Sequence, residues 1–182
     1  MELGTLEALR KTEGPEFRDH LRDMRELSSQ ALSSIRNLAT GLRPSVLDDL
    51  GLDPALRWQA REFSRRYGIP VTIEIDGSLE LLPENHRTCI YRVAQESLTN
   101  IARHAEARNI RITLHGDTQL LSLAVQDDGI GFDLGKTQPN GLGLVGIEER
   151  VRQLGGRVSI ITQPSKGTLL RVQIPRPQEV QS

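Results

Sequence analysis

The sequence predicts an α/β fold in which three helices alternate with short strands, preceded by one long helix. Three observations lead to this prediction. Apolar residues recur at helical spacing through the stretch 91–105, and apolar and polar residues alternate within 110–126. Mainly apolar residues recur with a period of about 3.5 residues through 17–42, which would form a continuous seam along one helix.

Composition narrows the class of protein. The 182 residues are 37% hydrophobic and 26% charged, as in soluble globular domains. A net charge of -1 and an aromatic content of 3% give no reason to expect nucleic acid or an anionic membrane as a partner. No apolar run could span a bilayer, so we expect a cytoplasmic chain, with any membrane anchor in segments outside it. Cys89 is the single cysteine and is expected to be buried.

The long helix is predicted to begin at Pro15 and to end near Gly41 and Pro44. Its seam consists of Phe17, Leu21, Met24, Ser28, Ala31, Ile35, Leu38 and Leu42. Because one helix cannot bury such a seam alone, we expect a homodimer through residues 15–42; packing on the chain's own domain is the alternative.

The remaining elements follow in order. Asp53 and Pro54 are expected to start a helix, with Asp53 as its cap. The predicted buried side of that helix consists of Leu56, Ala60, Phe63 and Tyr67. A strand at 71–75 leads to a second helix that begins at Pro83 and Glu84. The apolar side of this second helix is predicted to consist of Ile90, Val93, Ala94, Leu98, Ile101 and Ala105.

Two hairpins and a short helix complete the chain. The predicted strands are 110–115, 120–126, 158–161 and 169–174, and the predicted helix is 145–154. The expected organisation is therefore a helix at 1–44, a connector at 45–52, a domain at 53–176 and a disordered tail at 177–182.

Polar side chains lie in the middle of the second predicted helix. Glu96 and Asn100 are four residues apart and share one face, and Arg103 and His104 follow one turn later. A carboxylate, an amide oxygen and two cationic groups together suit a metal ion and polyphosphate. A solvated polar face is the alternative for this stretch taken alone.

Two glycine clusters follow. Asp127 comes directly after a strand and can accept a hydrogen bond from an exocyclic amine, while Gly129 and Gly131 would let the backbone approach a flat ring. The second cluster, Gly141, Leu142, Gly143 and Leu144, opens a helix, where free N–H groups suit phosphate oxygens. Ordinary turns are the alternative for either cluster. A dinucleotide-binding fold is disfavoured because a polar loop precedes the second cluster and no acidic residue follows about twenty positions later.

The order of these parts is more specific than any one of them. It resembles the ATP-binding domain shared by gyrase, Hsp90, histidine kinases and MutL. The stretches YRVAQESLTNIARHA, DDGIGFD, GLGLVGIEERV, LGG and SKGT, with LRPSVLDDLGL upstream, are similar to sensor histidine kinases of the nitrate-sensor and DesK type.

This resemblance implies a two-layer α/β sandwich with a mixed sheet and helices on one face. It implies ATP and Mg²⁺ as ligands and a response regulator as partner. Asn100 would bind Mg²⁺ and Glu96 would orient water or metal; Arg103 and His104 would lie near the phosphates. Asp127 would recognise the adenine amino group, supported by Thr168 through water. Residues 132–140 would form a lid over ATP.

One departure from the family pattern concerns the phosphoacceptor. The family's acceptor histidine lies in a His-Asp or His-Glu setting, which this sequence lacks, and His20 is followed by Leu21. The chain therefore resembles a histidine kinase without its sensor and its phosphoacceptor helix. Two alternatives remain: a serine kinase of the anti-sigma type, and a regulatory module that binds ATP without transferring phosphate.

Overall fold

A computed structural model describes Leu47, residues 51–77, Leu79, residues 82–133 and residues 142–176. The helices are α1 (Leu52–Tyr67), α2 (Glu84–His104) and α3 (Leu142–Gln153). The strands are β1 (Val71–Gly77), β2 (Ile110–Gly116), β3 (Leu120–Asp127), β4 (Arg157–Thr162) and β5 (Thr168–Pro175). The predicted long helix, most of the connector, most of the lid and the predicted tail lie outside the described residues.

The five strands form one mixed sheet in the order β1-β2-β3-β5-β4. β1 runs parallel to β2, and every other pair is antiparallel. A parallel neighbour needs a crossover connection, and α2 provides it, so α2 must lie over a face of the sheet. The two predicted hairpins, β2–β3 and β4–β5, are confirmed.

The core lies on one face of the sheet. In β2, the buried Ile110, Ile112 and Leu114 alternate with Arg111 and His115, which are exposed. All three helices contact the sheet. The opposite face exposes mostly polar side chains, among them Thr72, Glu74, Arg111, Arg171 and Gln173. The predicted two-layer sandwich with helices on one face is therefore confirmed.

Helix α2 is the central helix of the layer and has 21 residues. Every residue of its predicted apolar side is buried, and so is Cys89. The sequence did not indicate that Arg92 is only 8% exposed; it donates from Nη1 to Gln95 Oε1 at 2.8 Å, and burial lowers its pKa. Neither α2 nor another helix in the described ranges is long and apolar enough to cross a bilayer.

Three local predictions were wrong. Helix α1 begins at Leu52, with Gly51 at φ 81 before it, and Asp53 makes no capping hydrogen bond. Burial of Leu52 places Asp53 inside the first turn, where its carboxylate accepts from Arg57 Nε at 2.5 Å. Tyr67, predicted to be buried, is 47% exposed at the end of α1. Helix α3 begins three residues before the predicted Val145, because the glycine cluster itself forms its first turn.

Candidate functional site

The carboxyl end of β3 buries an acidic side chain. Asp127 is 5% exposed. The N–H of Gly129 donates to its Oδ1 at 2.8 Å, and the main-chain N–H of Thr168 donates to the same carboxyl group. Burial raises the pKa of Asp127, although these two hydrogen bonds oppose the rise. A carboxylate has about four acceptor positions, so Asp127 can still accept from a ligand amine.

Thr168 contacts Asp127 through its main chain. The two residues are direct partners in the β3–β5 ladder, which brings the Thr168 N–H to the carboxylate, and the support through water stays a prediction. The Thr168 hydroxyl lies 3.2 Å from the hydroxyl of Thr162. Thr162 in turn accepts from the N–H of Phe132 at 3.0 Å, which ties the loop after β3 to the second hairpin.

Glycines around Asp127 are required by the protein's own packing. A β-carbon on Gly129 would lie 2.1 Å from the carbonyl oxygen of Ala105. Gly131 has φ 56, and its β-carbon would meet the Gln163 carbonyl oxygen at 2.2 Å. The sequence interpretation gave Gly129 and Gly131 a role in approaching a flat ring. In the structure, protein backbone fills the space where their side chains would be.

A second aspartate fixes the position of this loop, and the sequence analysis assigned it no role. Asp128 Oδ1 accepts from the N–H groups of Arg108 and Asn109 at 2.7 and 2.8 Å, and Oδ2 accepts from Asn109 Nδ2 at 2.8 Å. These hydrogen bonds hold the pKa of Asp128 below its usual range, with the Asn109 side chain as the largest cause. The Asp-Asp pair in the sequence was the available signal.

The same loop is attached to the end of α2. The N–H of Ile130 donates to the carbonyl oxygen of Ala105 at 2.7 Å, directly after the last turn of α2. Together with the Asp128 contacts, this brings Asp127 and the carboxyl end of α2 to the same edge of the domain. Arg103 and His104, both exposed, lie in that last turn.

The polar face of α2 meets the start of α3. Glu96 and Asn100 are half-buried. A β-carbon on Gly143 would lie 2.2 Å from Glu96 Oε1 and 3.5 Å from Asn100 Nδ2, so the first turn of α3 packs against both side chains. Leu144 packs against the hydrophobic core. Gly141 lies outside the described residues, and only the backbone of Leu142 is described.

The side-chain oxygens of Glu96 and Asn100 suit a magnesium ion that takes most of its ligands from water and phosphate. Within the described ranges there is no cluster of three or more His, Cys, Asp or Glu side chains that could hold a metal. Glu96 and Asn100 offer one carboxylate and one amide oxygen on adjacent turns. Mg²⁺ commonly takes one or two protein oxygens and fills its octahedron with water and substrate phosphates, so this donor set fits.

Comparisons with known proteins agree with this architecture. The family described as "Histidine kinase-, DNA gyrase B-, and HSP90-like ATPase" matches residues 85–178. The histidine kinase domain of the blue-light activated histidine kinase EL346 from Erythrobacter litoralis shares the fold, with a TM-score of 0.55 and 24% identity. That match covers 66% of this chain and 59% of the solved one.

Two curated relatives are similar in sequence. The signal transduction histidine-protein kinase/phosphatase DegS of Brevibacillus brevis is 34% identical over 155 residues, 85% of this chain and 40% of DegS. The oxygen sensor histidine kinase NreB of Staphylococcus carnosus is 34% identical over 161 residues, 88% of this chain and 46% of NreB. The chain thus spans less than half the length of either relative. Because the family match extends over more than half of its residues, the chain belongs to the histidine kinase-, DNA gyrase B- and HSP90-like ATPase family.

Proposed function

We propose that this chain is the ATP-binding catalytic part of a two-component sensor histidine kinase. It transfers the γ-phosphate of ATP to a histidine on a dimerisation helix, from which a response regulator receives it on an aspartate. The observation that carries the proposal is the buried Asp127 carboxylate, held beside the end of an α2 helix whose polar face packs against α3. The names of DegS and NreB support a kinase over the two alternatives.

In this proposal the residues divide into two groups. Asp127 accepts from the adenine amino group, and the packed backbone around Gly129 and Gly131 keeps it in place. Asn100 binds Mg²⁺ through its side-chain oxygen, and Glu96 orients water or metal. The ion supplies charge neutralisation on the phosphates, and phosphoryl transfer otherwise depends mostly on positioning.

The start of α3 and the end of α2 supply the phosphate contacts. The N–H groups in the first turn of α3, at Leu142, Gly143 and Leu144, have no intrahelical partners and can donate to phosphate oxygens. Arg103 and His104 add cationic or hydrogen-bonding groups in the last turn of α2. Both groups of donors lie near the polar face of α2 that holds Glu96 and Asn100.

The partners follow from the same proposal. A homodimer forms through residues 15–42, and light scattering over a concentration range should show self-association that Leu38→Asp abolishes. A chain that stays monomeric at high concentration, unaffected by Leu38→Asp, would contradict the homodimer. The response regulator is the second partner, neither nucleic acid nor a membrane surface is required, and the reaction takes place in the cytoplasm, where ATP is available.

Phosphotransfer in trans tests the function. The chain, radiolabelled ATP and a separate hairpin carrying an acceptor histidine are mixed, and acid-labile, base-stable phosphate on the hairpin is measured. We expect label on the hairpin and almost none on the chain, because His20 is followed by Leu21 and not by an acidic residue that could polarise its imidazole. GTP should not replace ATP, since guanine presents a carbonyl where adenine presents an amine.

Matched variants make this test specific. Asp127→Asn should abolish most of the transfer, whereas Asp76→Asn, an exposed carboxylate on β1, should leave it unchanged. Equal use of GTP would refute the adenine role of Asp127. Label on serine of a partner protein rather than histidine would favour the anti-sigma kinase. ATP binding without any transfer would favour the regulatory module.

A further inference from the structure

A groove lies between α1 and α2, on the side of α2 that does not meet α3. Its volume is about 610 Å³, and its lining includes Trp58, Gln59, Tyr67, Gln95 and Thr99. Gln95 and Thr99 each precede a residue of the polar pair Glu96 and Asn100 by one position. That offset is about 100° around a helix, so α2 presents one face to the nucleotide site and another to this groove.

Two large aromatic side chains on α1 remain exposed at the groove. Trp58 is 41% exposed and Tyr67 is 47% exposed. Tyr67 is held in place, since its ring centroid lies 4.7 Å from that of Phe63 and the Arg66 guanidinium lies 5.4 Å from its ring. Fixed aromatic side chains that line a concave surface are the usual anchors of protein interfaces.

The charge of α1 favours an acidic partner. The helix carries four arginines and two acidic residues. Arg57 pairs with Asp53 and Arg65 with Glu62, both at 2.5 Å. In the described part of the chain Arg61 and Arg66 form no salt bridge, and of these two arginines Arg66 lines the groove.

The floor of the groove contains polar groups that favour a peptide. Gln59 Oε1 is buried without a hydrogen-bond partner among the described residues, and such an orphaned acceptor costs about 1–3 kcal/mol. Amide side chains from Gln59 and Gln95 and the Thr99 hydroxyl line the same groove. A lipid surface would desolvate these groups without replacing their hydrogen bonds, whereas a peptide carries donors and acceptors of its own.

We propose that this groove docks an acidic amphipathic helix of a partner protein. Leucine-like side chains of that helix pack on Trp58 and Tyr67, and one of its carboxylates pairs with Arg66. The mode is the laying of an amphipathic helix into a groove between two helices. The proposal does not depend on the kinase assignment, because the groove and the nucleotide site use different faces of α2.

The single tryptophan of the chain makes the test direct, because Trp58 alone gives the indole fluorescence. The full chain is titrated with a designed helical peptide of about 18 residues, free of tryptophan and tyrosine, with leucines on one face and glutamates beside them. We expect a shift of Trp58 emission to shorter wavelength and saturable binding. A peptide with lysine in place of every glutamate should bind at least about tenfold more weakly.

Protein variants locate the site. Arg66→Glu should weaken binding of the acidic peptide about fivefold and Tyr67→Ala about tenfold. Arg171→Glu, on the open face of the sheet, is the matched control and should bind normally. Circular dichroism verifies that each variant is folded.

Three results would overturn the proposal. They are unchanged Trp58 emission with the acidic peptide, equal binding of the lysine peptide, and the same emission shift with phosphatidylcholine–phosphatidylglycerol vesicles alone. The last result would identify a membrane surface as the occupant.

Discussion

Gly143 lies against the carboxylate of Glu96: a β-carbon at position 143 would stand 2.2 Å from Glu96 Oε1. Gly143 lies in the first turn of α3, with no positive φ, so its requirement for glycine comes from space rather than from backbone conformation. Any side chain here must displace Glu96 or move α3 away from α2. The distance between these two helices therefore sets the position of the proposed metal-orienting carboxylate.

Gly143→Ala should impair the site while leaving the fold stable. Alanine favours the helix by about 1 kcal/mol over glycine, which offsets part of the cost of the displaced carboxylate. We expect ATP affinity, measured by calorimetry with magnesium present, to fall at least about tenfold, with little change in the melting temperature.

Gly146→Ala is the control on the same helix. Its β-carbon would approach only Arg150 Nη1, at 3.0 Å, and the end of a flexible side chain can move. This variant should bind ATP normally. If both variants bind normally, the contact between Gly143 and Glu96 does not govern the site.

Asn100→Ala tests the proposed magnesium ligand. Asn100 is half-buried, and its removal should leave α2 folded because the helix is held by its buried apolar side. ATP affinity should become nearly independent of magnesium. Calorimetric titrations with magnesium and with excess chelator measure this dependence. Gln173→Ala removes an exposed amide on the open face of the sheet and should leave it unchanged. Magnesium dependence that survives Asn100→Ala would refute the assignment.

The sequence predicted the elements because their periodicity is local. The alternation in β2 and the helical spacing in α2 reflect contact with a single core, and each pattern lies within one segment. The wrong predictions at Asp53 and Tyr67 concern helix ends, where burial of one neighbouring residue shifts the boundary or turns a side chain to solvent.

Contacts between distant segments could not be predicted in the same way. Asp128 binds Asn109, which is 19 residues away. Gly167 has φ 70, and a β-carbon there would also lie 2.1 Å from the Asp127 carbonyl oxygen, so both backbone conformation and space require glycine. The partial burial of Glu96 depends on the packing of α3. Such contacts are set by the strand order and by helix packing, neither of which appears in any one stretch of sequence.

Cys89 should be inert in the folded protein. Burial raises the pKa of its thiol to about 11, although the nearby Arg150 opposes the rise, so the thiolate is scarce at neutral pH. Iodoacetamide should therefore modify native chain at least about a hundredfold more slowly than chain unfolded in guanidinium. Because Cys89 is the sole cysteine, mass spectrometry of the intact chain measures its reaction alone. Rapid modification of the native chain would contradict a closed core at this position.

Asp127 should give stability and ATP binding opposite dependences on pH. Burial raises its pKa above the ordinary value of 3.8. The folded state therefore holds a proton that the unfolded chain releases, so this group's contribution to stability is largest below pH 3.8 and is lost as pH rises through the folded-state pKa. ATP binding needs the ionised carboxylate as acceptor and should weaken as pH falls through the same window.

Comparison of wild type with Asp127→Asn isolates this effect, because other carboxyl groups titrate equally in both. The melting temperature of Asp127→Asn minus that of wild type should increase as pH rises from 3.8 to neutral, because wild type must then form a buried charge and the variant need not. At neutral pH the variant should bind ATP more weakly than wild type. Its ATP affinity should also not show the decrease at acidic pH that titration of Asp127 causes in wild type. A constant difference in melting temperature across this range would show that Asp127 titrates at its ordinary value and is not desolvated.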